Sequence, residues 1–199
     1  MSTDPAEQIK QAFQNNDAEL VATLLTRHPA LREKINDRTF AFGAPAIHCA
    51  AQKRNRQMID VLLRFGADIN ARSDWWAGGF GVLDLADAET AAFLIERGAA
   101  VDAHAAAHLG MLDKLKQLVA SNPDVVHARG GDGKTPLHCA STIEIAEFLL
   151  DHGADIDARD IDHESTPAQY MVRSQPDIAC YLVRRGCKAD ILMATALGD

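Results

Sequence analysis

Three clusters in this chain carry side chains able to do acid–base or metal chemistry. His104 and His108 stand four residues apart, a spacing that turns both rings to one side of a helix. Two imidazoles on one face make half of a metal site; no third ligand follows at a fixed spacing, and two polar residues lining a groove is the competing reading. Asp160, Asp162, His163 and Glu164 crowd the stretch ARDIDHESTP at 158–167. Paired acids beside a histidine suit a general base or a bound cation, and a solvated, partner-facing turn equally well. The spacing misses the twelve-residue calcium loop, which needs a central Gly and a distal Glu. His48-Cys49 and His138-Cys139 resemble fragments of a thiol protease, but neighbours on a helix diverge by about 100° and do not face each other. GxSxG, the Walker loop and HExxH are absent from the sequence, so nothing assembles nucleophile, base and orienter. The expectation is a chain without catalysis and without a cofactor.

A fourth cluster is aromatic. SDWWAGGFG at 73–81 holds both tryptophans of the chain beside three glycines. Glycine-rich polar stretches are loops, and loops lie in water. Trp75, Trp76 and Phe80 there either grip a partner, since tryptophan dominates binding hot spots, or fold back to fill space in the protein.

The elements that position these clusters follow from composition and pattern. The chain has 199 residues, 47% of them hydrophobic and only 6% aromatic, as in helical packing with small contact residues. Its net charge of −8 disfavours nucleic acid as a main partner. The basic clusters at Lys53-Arg54-Asn55-Arg56 and Arg184-Arg185 read as solvated helix ends. No apolar run approaches the roughly 18 residues that span a bilayer, and the polar start Met1-Ser-Thr-Asp-Pro is no secretory signal. Cys49, Cys139, Cys180 and Cys187 form no CxxC, which points to free thiols in a reducing cytoplasm, without disulfides or structural zinc.

Self-comparison is the most informative step. RFGADINAR (64–72), ERGAAVDAH (96–104), DHGADIDAR (151–159) and RRGCKADIL (184–192) share a glycine-led core. An amphipathic helix precedes each, and the Gly supplies a left-handed cap. A shorter helix comes before that one, clearest in GDGKTPLHCAS (131–141), where Thr135 caps and Pro136 takes the first helical position. STPAQYM (165–171) repeats the device, with Thr166 and Gln169 spaced as a capping box. GAPAIHCAA (43–51) and GFGVLDLAD (79–87) are degenerate copies.

These residues resemble the ankyrin repeat, whose pattern G-x-T-P-L-H-x-A-A followed by L-L-x-x-G-A-D-x-N-A is nearly complete in 133–158. The resemblance implies an all-α solenoid of stacked helix-turn-helix units with hairpin-like turns. It implies that His48 and His138 tie neighbouring turns together, with Asp84 and Gln169 at the equivalent places of other repeats. The expected repeats run over about 5–36, 37–70, 71–102, 103–129, 130–157 and 158–189, with a partial one at 190–199. The units that run from Asp84 to Gly98 and from His138 to Gly153 are short, so the inner helix of each or its connection has lost residues. At 98–103 and 186–191 the loop passes almost directly into the next helix, with no room for a projecting turn. VDAHAAAHLG (101–110) aligns with ADILMATALGD (189–199), and the second copy stops where the first continues into a helix pair. The expectation is an N-terminal piece of a longer array, with Ile191, Leu192 and Leu197 frayed or covered by another molecule.

The resemblance also implies protein–protein binding through turn tips and inner helices on a concave face. Candidate tips are 37–44, 72–81, 129–134 and 159–165. The partner-binding candidates are Trp75, Trp76, Phe80, Asp132, Lys134, Asp162, His163, Glu164, His104, His108, Tyr170 and Arg173, with Lys53 and Gln169 as further inner-helix positions. The expected partner is a protein, with no nucleic acid and no membrane. The chain is expected to be a monomer unless its last helix associates. The alternatives are a metal, small-ligand or hydrolytic site built from His104, His108 and the 160–164 acids, or a regulatory segment of a larger enzyme.

Overall fold

Three of the helices, Arg56–Arg64, Ala88–Glu96 and Ile143–Asp151, begin where a polar side chain accepts from a free N–H group of the first turn and end where a glycine at positive φ turns the chain. The helix Arg56–Arg64 shows the device in full. Asn55 accepts from the Met58 N–H at 2.9 Å, Met58, Ile59, Val61 and Leu62 are buried, and Gly66 at φ 97° lets the Ala67 N–H reach back to the Leu62 carbonyl at 3.0 Å. That back-bond is the Schellman closure. The same 3.0 to 3.1 Å or shorter back-bond recurs at Ala99–Leu94, Ala154–Leu149 and Cys187–Leu182.

The computed structural model describes residues 4–188. Its helices are α1 (Pro5–Gln14), α2 (Ala18–Arg27), α3 (Ala46–Gln52), α4 (Arg56–Arg64), α5 (Ala88–Glu96), α6 (Ala103–His108), α7 (Leu112–Ser121), α8 (Ile143–Asp151), α9 (Pro167–Met171) and α10 (Pro176–Arg184), joined by short 3-10 turns. The described residues contain no strand, only an isolated antiparallel bridge between Phe40 and Ala44. This is an all-α fold. Residues 189–199, which include Ile191, Leu192 and Leu197, lie outside the described part.

Contacts divide the chain into two units. The first holds the chain up to Trp75 together with Phe80–Ala100; the second holds Trp76–Gly79 and the chain from Val101 onward. In the first, α1 packs on α2, α2 on α4, and α3 on α4, around Val21, Leu25, Ile47, Ile59 and Leu62, all fully buried. In the second, α6 packs on the 3-10 turn Pro136–Cys139, which packs in turn on α9, and α10 packs on α8 and α9. Its core joins Leu115, Leu137, Ile145, Leu149, Met171 and Leu182 with the alanines of α6. Those small side chains let the backbones approach closely.

The two curtailed inner helices are visible. Residues 82–85 make a single turn, and Pro136–Cys139 is a four-residue 3-10 helix. Loops of consecutive pairs are tied by a repeated side-chain clasp. Asn36 accepts from the Asp68 N–H at 2.8 Å and donates to the Gly66 carbonyl at 3.1 Å. Asn70 does the same for Ala100 and Gly98 at 2.8 and 3.2 Å. Asp157 accepts from the Lys188 N–H at 2.8 Å, keeping the accepting half of the clasp.

Candidate protein-binding surface

Two hairpin-like turns set up the surface. In the first unit the Phe40 N–H donates to Ala44 at 3.1 Å and the Gly43 N–H to Phe40 at 3.1 Å, with Phe42 at the tip in a left-handed conformation, φ 60°. In the second, the Gly130 N–H donates to Lys134 and the Gly133 N–H to Gly130, both at 2.9 Å, with Asp132 at the tip at φ 58°. Each tip stands six residues before a histidine that ties it to the next turn. The His48 Nε2–H donates to the Ala71 carbonyl at 2.8 Å, and the His138 Nε2–H to Ser165 at 3.0 Å. The His138 Nδ1 accepts from the Thr135 N–H at 3.1 Å, which fixes the neutral tautomer. Burial first, against the bond to Ser165, pushes His138 down to about 4, and burial likewise lowers His48.

His104 takes the same tying place in the second unit. It is buried, and its Nε2 lies 2.9 Å from the Lys134 carbonyl and 3.1 Å from that of Ala128. His108 on the same helix is exposed, so the two rings do not share one environment. Where Asp84 replaces the histidine, it accepts from the Gly81 N–H at 2.7 Å and closes its own turn. Gln169 accepts from the Thr166 N–H at 2.9 Å while Thr166 Oγ1 accepts from Gln169 at 3.3 Å, the reciprocal box that the spacing anticipates.

The two tryptophans part company. Trp75 is half-buried and packs edge-on against Phe42, ring centroids 4.9 Å apart at 83°, and Phe80 adds a ring 6.1 Å from Phe42. Trp76 is 69% exposed. The two residues after it bring Gly78, at φ 136°, against the second turn: a Cβ on Gly78 would lie 2.2 Å from the Gly130 carbonyl oxygen. Only glycine fits there. That approach counts Trp76–Gly79 into the second unit.

Around the 130–134 turn the structure gathers five of the sequence candidates. Lys134, buried, donates from Nζ to Asp132 at 2.9 Å and to the Tyr170 hydroxyl at 2.8 Å, with the ammonium 4.2 Å from the Tyr170 ring centroid. The Asp132 carbonyl accepts from Ile161 and Asp162, and His163 Nε2 lies 3.5 Å from Asp162. Asp132, too, is buried. Glu164 is exposed at φ 53°, its carbonyl accepting from Arg159, and Arg173 is exposed beyond α9. Lys53, exposed at the end of α3, donates to the Phe13 carbonyl at 2.9 Å and so closes α1. Sequence reasoning put Phe42 inside the candidate tip 37–44 but not among the partner-binding residues; it is 53% exposed, and its place six residues before His48, as Asp132 is before His138, marks it as the tip residue.

Paired helices, glycine-closed loops and histidine-tied turns recur through the chain, and family models find them. Residues 103–193 match a model described as "Ankyrin repeats (3 copies)" and residues 42–74 one described as "Ankyrin repeat". The chain belongs to the ankyrin-repeat family. Ankyrin repeats mark a protein-interaction module, and they are in general non-catalytic. Among curated proteins, the chain is 40% identical over 57 residues to the serine/threonine-protein kinase VIK of Arabidopsis thaliana, 27% of this chain and 13% of that protein. It is 42% identical over 65 residues to palmitoyltransferase akr1 of Schizosaccharomyces pombe, 31% of this chain and 10% of that protein. The chain thus spans about a tenth of the length of these relatives. No described helix is long and apolar enough to cross a membrane.

Proposed function

We propose that the chain is a non-catalytic module of six ankyrin repeats, divided as the sequence pattern divides it, that binds a protein partner through its turn tips. The observation that carries this reading is Trp76, 69% exposed. A large aromatic held at the surface gains most when a partner covers it. Phe42 with Phe80 offers an apolar tip in the first unit, and Tyr170, 43% exposed, with Arg173 and Glu164 offers a mixed one in the second. His104, Asp132 and Lys134 serve by holding the turns in place. Cys49, Cys139, Cys180 and Cys187 form no disulfide, which supports a reducing, cytoplasmic setting, and we take the working state to be a monomer.

The test is affinity capture from extract with wild type beside Trp76→Ala and Phe42→Asn, each checked by circular dichroism for an unchanged fold. A protein retained by wild type and lost by either variant is the expected result. Equal retention by all three would remove the tips from the interface.

A further inference from the structure

We propose that the turns 130–134 and 160–164 together bind a divalent transition-metal ion of the zinc class, through Asp132, Asp162 and the Nε2 of His163. One ligand atom from each of the three residues lies within 4.8 Å of the other two. His163 Nε2 stands 3.5 Å from Asp162 Oδ2. Two ligands at about 2.0–2.1 Å on a tetrahedral ion are separated by roughly 3.4 Å, so an ion fits between this nitrogen and this oxygen with little movement. His163 is exposed and able to adjust its ring; Asp132 and Asp162 are held by their backbones, because the Asp132 carbonyl accepts from the Ile161 N–H at 2.9 Å and from the Asp162 N–H at 3.2 Å.

A second observation points independently to a ligand. The Asp160 side chain is fully buried; Oδ1 accepts from the His163 N–H at 2.7 Å, and Oδ2 has no hydrogen-bond partner. A buried carboxylate oxygen left in that state is costly. The polar atom it faces is His163 Nδ1, at 3.8 Å. Metal-bound histidines donate their other ring N–H to a carboxylate. A shift of about 1 Å brings Nδ1–H into hydrogen-bond range of Oδ2, so seating an ion on Nε2 would satisfy the orphaned oxygen in the same movement. Lys134 sits on one Asp132 oxygen at 2.9 Å, and Asp132 keeps a second oxygen for an ion. A nitrogen ligand beside carboxylates selects zinc-like ions over calcium or magnesium.

Isothermal titration of the metal-stripped chain with Zn²⁺ tests the site, with Co²⁺ absorption reporting the ligand type. The expected result is one equivalent bound, a Co²⁺ spectrum without a thiolate charge-transfer band, and affinity at least tenfold weaker in His163→Ala and in Asp162→Asn. Asp160→Asn, which keeps the bond to the His163 N–H, should weaken binding by about ten- to a hundredfold. Circular dichroism of each variant separates lost binding from lost fold. No saturable binding, a thiolate band placing the ion at cysteines, unchanged affinity in His163→Ala, or saturation by Ca²⁺ in preference to Zn²⁺ would each overturn the proposal.

Discussion

The turns at 40–44 and 130–134 follow the same backbone path and present opposite tips. Both close with the same pair of main-chain hydrogen bonds, both put a non-glycine residue at φ near 60°, and both are tied by a histidine six residues on. Phe42 is 53% exposed, Asp132 9%. The difference lies in what covers them. The 130–134 turn has Gly78 pressed on it and Ile161 against Gly133. The 40–44 turn meets Asp74, whose N–H donates to the Gly43 carbonyl at 2.9 Å, and its tip ring leans on Trp75. One backbone device thus serves two ends: a covered tip carries an ion-paired network that holds turns together, and an open tip carries an aromatic that can be offered outward.

The sharpest way to break this contrast is to uncover the covered turn. Gly78→Ala adds a Cβ 2.2 Å from a backbone oxygen at a φ that disfavours side chains, and should cost about 3–4 kcal/mol by urea denaturation. Gly153→Ala has the same conformational problem with nothing within 4 Å of the new atom, and should cost only about 1 kcal/mol.

Acid attacks the ties rather than the tips. His138 sits at about 4 in the folded chain against an ordinary value near 6.5. Between those values the unfolded chain binds the extra proton and the folded chain does not, so stability falls as pH drops through this window. Its contribution is complete above 6.5 and about 3 kcal/mol is lost by pH 4; His48 shifts the same way. A melting series from pH 7 to 4.5 should show the fall, and His138→Gln should flatten it. A pH-independent melting point in wild type would mean that the buried histidine carries no such linkage.

Swapping tips separates the two turns by a smaller margin. Asp132→Ala leaves the Lys134 ammonium in place without its carboxylate and should cost about 2 kcal/mol. Phe42→Asn exchanges an aromatic contact for a residue at ease at positive φ, and the net change should stay within about 1 kcal/mol by the same denaturation measurement.

Much of this was legible in the residues. The caps and the Schellman glycines are local devices fixed by a few positions, and Thr166–Gln169 and Gly66 sit as their spacing requires; the ties made by His48 and His138 reach carbonyls 23 and 27 positions on and were legible through the ankyrin resemblance. The surface was harder to read, because exposure depends on which distant backbone lies over a turn. Nothing in GDGK announces that Gly78 and Ile161 cover it, so Asp132 and Lys134 read as open fingertips and prove buried. His104 read as groove-lining because it sits beside His108; the carbonyls that hold it come from residues 24 and 30 positions later. Asp160 lay inside a visible acidic cluster, but its burial with one unsatisfied oxygen belongs to three dimensions alone.

Adjacent in sequence, Trp75 and Trp76 carry the central claim that packing and presentation are divided between neighbours on one loop. Thermal melts of Trp75→Ala and Trp76→Ala test it most directly. Loss of the half-buried ring at 75 should cost about 2 kcal/mol, a drop of roughly 4–8 °C for a chain of this size. Loss of the exposed ring at 76 should move the midpoint by less than about 2 °C. Equal drops for the two variants, or the larger drop at Trp76, would contradict the account.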